Sequence, residues 1–178
     1  MTVSAPLRHL LDGYASVPAF VLNPAKDFLA VNDLTEALFA PFARVDNLAR
    51  MTFLDAAARR FFPRWDSFAE SIVAGLRHAQ GLDPDDPRLL EVVRSLSDES
   101  EVFAALWSSQ TVYGKTRDAT ELEHPDVGRL WLTSQAFDVR GSQGQLLVVY
   151  QPEPGSASAE ALTLLGALHA TSRQSSGR

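Results

Sequence analysis

The segment Gln145–Gln151, QLLVVYQ, is apolar on both faces that a β-strand presents, with Leu146, Val148 and Tyr150 on one and Leu147 and Val149 on the other. Such a strand belongs at the centre of a sheet, covered on each side. The rest of the chain must therefore supply neighbouring strands and two covering layers. Leu130–Phe137 is strand-like and connects to it through a turn around Gly141-Ser142-Gln143-Gly144; Ala119–Glu123 is a weaker strand. Near the start, the apolar runs Ala19–Leu22 and Phe28–Val31 flank Asn23-Pro24-Ala25-Lys26-Asp27, a strand–turn–strand pattern.

Between these strand regions the period becomes helical. Leu7–Tyr14 reads as a short helix, and Asp33 to about Phe39 as another, stopping before Pro41. Asn32 and Asp33 both qualify as its cap, and Asp33 with Glu36 has capping-box spacing. DNLARMTFLDAAARRFF reads as one or two short helical turns. Trp65, Phe68, Ile72 and Leu76 form one stripe of a helix over Trp65–Ala79, with Gly81 expected to end it. Asp86-Pro87 opens a helix through Leu96 whose apolar face is Leu89, Val93 and Leu96. Asp98 and Glu101 have capping-box spacing before Phe103, Leu106 and Trp107. After PEPGS, Ala159–Leu168 reads as a closing helix, with Leu162, Leu165 and Leu168 expected to cover the second sheet face. The expectation is an α+β fold with an antiparallel sheet, a block of helices on one face and helices at the termini. Residues 1–171 are expected to form one domain, with 172–178 a flexible tail.

Composition closes off several function classes. The chain has 178 residues, no cysteine and a formal charge of −6. Without cysteine there is no disulfide, zinc–thiolate site, iron–sulfur cluster or thiol nucleophile, which fits a reducing cytoplasm. A net negative charge gives little long-range attraction for a phosphate backbone, so DNA is not expected to bind this chain directly. No apolar run reaches the length of a membrane span, and the N-terminus lacks the pattern of a secretory signal. His9, His78, His124 and His169 form no helical metal-binding pair, and no phosphate-binding glycine loop or nucleophile elbow occurs. Asp83, Asp85 and Asp86 lack the spacing of a calcium loop and read as a solvated turn with a cap. The chain is thus expected to be neither an enzyme nor a carrier of a metal or cofactor.

The layout is that of a PAS-like domain, and particular residues point further. PAFVLNPAKDFLAVN at 18–32, NLARMTF at 47–53, FPRWDSFAESIVAGLR at 62–77, DPDDPRLLEVVRSLSDESEVFAALW at 83–107, HPDVGRLWL at 124–132 and QLLVVYQPEPGSAS at 145–158 occur in order. Together they resemble the MmyB-like ligand-binding domain of actinobacterial helix-turn-helix regulators of the Xre type, from about Leu7 to Leu168. The resemblance implies a PAS-like fold, a role in transcription regulation and, as in at least one relative, a fatty-acid-like ligand. The sequence departs from the family pattern at Val31, where an aromatic is usual, and at Gln110-Thr111-Val112, where a His before a Val is common. The family places a basic helix-turn-helix domain ahead of this region. Here the family-like sequence starts close to Met1, so the expectation is a sensor without its own DNA reader, whether excised or free-standing.

A site in such a domain is an apolar cavity with a few polar anchors. The expected ligand-binding residues are Phe20, Val31, Asn32, Phe39, Arg50, Phe53, Phe62, Trp65, Phe68, Ile72, Phe103, Trp107, Leu132, Val148 and Tyr150, with Leu22, Leu38 and Phe137 as further wall candidates. Each apolar one has an alternative role as plain core. Arg50 is open to two readings, a fork for a ligand carboxylate or a partner of Asp46, Asp55 or a helix end. Asn32 is a helix cap or a ligand contact, and the Trp107 indole donates to a ligand head or a backbone carbonyl. His124 stabilises a turn, contacts ligand or senses pH. Two functions compete: a cytoplasmic sensor with a small apolar ligand, and a ligand-free module that dimerises through Leu146–Tyr150 and the terminal helices.

Overall fold

A computed structural model describes residues 2–109, 119–142 and 144–176. In chain order the elements are α1 (Ala5–Gly13), β1 (Ala19–Leu22), β2 (Phe28–Val31), α2 (Asp33–Phe39), α3 (Leu48–Leu54), α4 (Ala58–Phe61), α5 (Trp65–Leu82), α6 (Pro87–Glu99), α7 (Glu101–Ser108), β3 (Ala119–His124), β4 (Gly128–Asp138), β5 (Leu146–Pro152) and α8 (Ala157–Ser176). The strands make one antiparallel sheet in the order β2-β1-β5-β4-β3. β5 is its central strand, as its two apolar faces require.

Pairing across β5 sorts the sheet's side chains. Phe20 opposes Val148, Leu22 opposes Leu146, Ser134 opposes Tyr150 and Ala136 opposes Val148, so these share the inner face beneath the helices. Ala19, Val21, Leu147 and Val149 share the outer face, where they form a second core with Val3, Leu7 and Leu11. The outer layer is therefore α1, and not the closing helix. α8 packs on α2 and β4, and its Leu162 and Leu165 join the inner core. Phe137 falls on the outer face by register and is 49% exposed, so the strand period removes it from the inner wall. Because β5 is covered on both faces, Leu146–Tyr150 offers no surface for a dimer.

Several helix limits differ from expectation for local reasons. Asn32, and not Asp33, caps α2, accepting from the Thr35 amide at 2.9 Å. α5 passes through Gly81 to Leu82, and the Asp83 amide closes it on the Ala79 carbonyl. Asp98 lies inside α6, and Ser100 caps α7 by accepting from the Phe103 amide at 3.2 Å. α8 continues beyond Leu168 to Ser176, with Arg173 reaching Asp33 of α2 at 2.9 Å. The Asp86-Pro87 start of α6 occurs as expected, with Asp86 accepting from the Arg88 and Leu89 amides.

The inner core is dense beside α2–α4. Phe20, Phe28, Phe39, Phe42, Phe61 and Phe62 form a continuous set of mostly edge and tilted ring contacts. The expected hollow is therefore not at the centre of this aromatic cluster. It opens beside it, between α5 and the sheet.

Candidate functional site

The inner-face side chains of β1, β5 and β4 leave a cleft of about 890 Å³ beneath α5. Its floor includes Phe20, Leu22, Leu146, Val148 and Tyr150, and Ser134 and Ala136 extend it across β4. These last two explain the space: an Ala and a Ser lie where larger residues would fill the layer. On the helix side are Ser67, Phe68, Ser71, Ile72 and Ala74, with Arg64 and Glu70, while Phe62 stacks on Phe68 with centroids 3.9 Å apart. The volume lies within the usual range for small-molecule sites.

Of the expected ligand-binding residues, Phe20, Phe62, Phe68, Ile72, Val148 and Tyr150 line this cleft, joined by Leu22 from the wider wall set. Val31, Phe39, Phe53, Trp65, Phe103 and Leu132 belong to the core or pack against it away from the cleft lining. Leu38 is fully buried in the same core. Trp65 gives its indole N–H to the Thr52 carbonyl at 2.9 Å. Trp107 stacks parallel to Phe103 and receives Arg77, which also binds the Trp107 carbonyl. The departure at Gln110-Thr111-Val112 lies outside the described residues.

The polar candidates are held by the protein itself. Asn32 donates to the Tyr14 and Val17 carbonyls at 2.7 and 2.8 Å, and its Oδ1 accepts from the Ala19 amide and from Thr35. That set ties α1 to β1 and α2. Arg50 binds neither Asp46 nor Asp55; it donates to Ser95 at 2.7 Å and pairs with Glu99 at 3.5 Å, linking α3 to α6. His124 places Nε2 at 3.2 Å from the Ala37 carbonyl, and its Nδ1 accepts from the Asp126 amide at 3.1 Å. An accepting Nδ1 requires the neutral ring, in agreement with burial lowering its pKa.

Sequence reasoning missed the turn between β1 and β2. Asp27 receives a two-pronged contact from Arg88 of α6, at 2.6 and 2.8 Å, and hydrogen bonds from Asn23 and Asn47, each at 2.8 Å. Burial pushes the Asp27 carboxyl up, but these hydrogen bonds and the Arg88 charge outweigh it and hold the pKa below the ordinary value. Asn47 also caps α3 and donates to the Ala25 carbonyl at 2.8 Å. The turn is thereby fixed to α3 and α6, and it carries Lys26 into the cleft lining. In sequence a lysine beside an aspartate in a turn reads as solvated charge. The available signal was Gly75, an isolated glycine inside a strong helical stripe.

Tyr150 is buried, and burial alone raises its pKa. Its hydroxyl has no hydrogen-bond partner among the described residues. The cleft thus joins an apolar floor to a strongly polar surround, with Lys26, Arg64, Glu70, Glu121 and the hydroxyls of Ser67, Ser71, Thr120 and Ser134 in its lining. No group of three or more His, Asp or Glu side chains suited to a metal occurs among the described residues. A smaller concavity of about 510 Å³ lies between α2 and α8, but its rim cation Arg173 is committed to Asp33.

An antiparallel sheet with helices on its inner face, and a small-molecule cleft between them, defines a ligand-binding domain of PAS-like build. The sequence model of the MmyB-like transcription regulator ligand binding domain matches residues 3–165. The chain belongs to that family. A comparison with curated proteins found no match. Among the described residues no helix is long and apolar enough to cross a membrane.

Proposed function

We propose that this domain binds a fatty-acid-like or similarly elongated apolar molecule between α5 and the inner sheet face, and that occupancy sets the state of a transcription regulator. The carrying observation is the cleft itself, about 890 Å³ floored by Phe20, Leu22, Val148 and Tyr150. Each methylene buried there contributes about 0.8 kcal/mol, so a medium-length alkyl chain provides enough free energy for useful affinity. Ligand acts only through unequal affinity for two states of the domain. The cleft is bounded by β1, β5, β4 and α5, and the turn after β1 is bolted to α3 and α6. Filling it therefore bears on most of the helical layer. A helix-turn-helix partner of the Xre type, in the same or a separate chain, would read that change on DNA in the cytoplasm.

Native mass spectrometry of the protein purified from cells, followed by lipid extraction, tests this reading. A co-purified amphipathic molecule is expected, with a raised melting temperature on adding acids of about 10 to 18 carbons. No bound species and no shift with any of them overturns it.

The competing reading, a surface for a protein partner, has its own observation. Trp131 and Phe137 are 57% and 49% exposed on the outer face of β4, beyond the cover of α1. Sedimentation of the ligand-free chain as a dimer that Trp131→Ser dissociates would favour it.

A further inference from the structure

The turn after β1 places the cation of Lys26 at the cleft. Lys26 is half-buried, and burial lowers its pKa from the ordinary 10.5. No hydrogen bond or ion pair holds its ammonium among the described residues. The adjacent Asp27 is committed to Arg88, Asn23 and Asn47, and Glu121 is engaged by Arg129 at 3.2 Å. Glu70 lines the cleft as well but makes no ion pair with Lys26.

Two further features of the fold serve this placement. Lys26 has φ of 69°, the left-handed region that a non-glycine residue occupies at a cost. The backbone is held there from both sides, by the Lys26 amide on the Asn23 carbonyl at 3.0 Å and the Leu48 amide on the Lys26 carbonyl at 2.9 Å. On α5, Gly75 makes room: a Cβ at that position would stand 3.0 Å from Lys26 Nζ and 3.1 Å from Cε. A glycine within a helix sacrifices about 1 kcal/mol relative to alanine. A strained turn and a helix glycine thus both accommodate one lysine that has no counter-charge among the described residues.

We propose that Lys26 is the anion-binding group of the cleft, its ammonium receiving the carboxylate of an amphipathic ligand whose alkyl part lies on the apolar floor. This deepens the proposed function and rests on it. A partly desolvated ammonium is unfavourable, and an arriving anion relieves that penalty while making charge-assisted hydrogen bonds. The carboxylates of Glu70 and Glu121 in the same lining favour a singly charged head over a dianion. Arg64 precedes α5, about 16 Å by helix rise from Gly75, so among the described residues Lys26 is the cation of the lining at the Gly75 end.

The test compares decanoate with decan-1-ol on the full chain at neutral pH by isothermal calorimetry, for wild type, Lys26→Met and Lys26→Arg. Wild type is expected to prefer decanoate by about tenfold or more. Lys26→Met removes that preference, while Lys26→Arg keeps most of it. Equal binding of acid and alcohol by wild type, or an undiminished preference in Lys26→Met, overturns the role of Lys26 while leaving the cleft as the site. Failure of both probes and of the longer acids to bind removes the cleft reading and Lys26 with it. If Lys26→Met does not fold, the wild-type ratio and Lys26→Arg decide the matter.

Discussion

Asn32 shows how one side chain can organise a region without touching ligand. Its amide gives two hydrogen bonds to carbonyls before β1 and accepts from the Ala19 amide and twice from Thr35. Asn32→Ala leaves several of these buried groups unpaired, and a loss of about 3 kcal/mol is expected from urea denaturation. Arg50→Ala, which loses a half-exposed pair with Glu99, is expected to cost under about 1 kcal/mol. A reversed order would place the structural weight elsewhere. At this scale the sequence was half legible. Capping residue types announce themselves by position, and Asn32 was readable as a cap on that basis. Its bonds to Tyr14 and Val17 come from chain folded back on it, which local spacing does not encode. Lys26 was illegible for the same reason, since its burial is created by Leu48 and α5 far along the chain.

At the scale of elements, β1, β2 and α2 begin and end where local pattern places them, because turn chemistry and alternation act within a few residues. Helix ends were less readable. Gly81 has open space around it and a helical backbone, so a glycine is tolerated without terminating α5. The cleft was legible through its large residues, Phe20, Phe62, Phe68, Ile72, Val148 and Tyr150, but not through its small ones. Space is made by what is missing, and Ser134, Ala136 and Gly75 carry no positive signal in sequence. Gly75→Ala separates two opposing effects on α5. Helix propensity favours alanine by about 1 kcal/mol, and the new methyl meets only the flexible end of Lys26. The denaturation midpoint is therefore expected to stay the same or rise. A loss exceeding about 1 kcal/mol would mean that Lys26 is held rigidly against the helix.

For the whole molecule, the decisive arrangement is two cores that share the same strands. Phe20, Val148 and Tyr150 face the helical block, while Ala19, Val21, Leu147 and Val149 face α1. These residues alternate along β1 and β5, so neither core can open without disrupting the strands that form the other. The two-sided strand implied both layers, yet it could not say which helix would supply the outer one. Leu11, 2% exposed on α1, sits in the outer core, and Leu122, fully buried on β3, sits in the inner one. Replacing either by Ala is expected to cost about 3 kcal/mol. Both variants should shift a single urea transition, seen alike by far-ultraviolet circular dichroism and tryptophan fluorescence, with the slope unchanged. If Leu11→Ala instead produced a separate early transition, α1 would be a detachable cover. The outer face of β1 and β5 would then open to water while the cleft and its helical roof stayed folded.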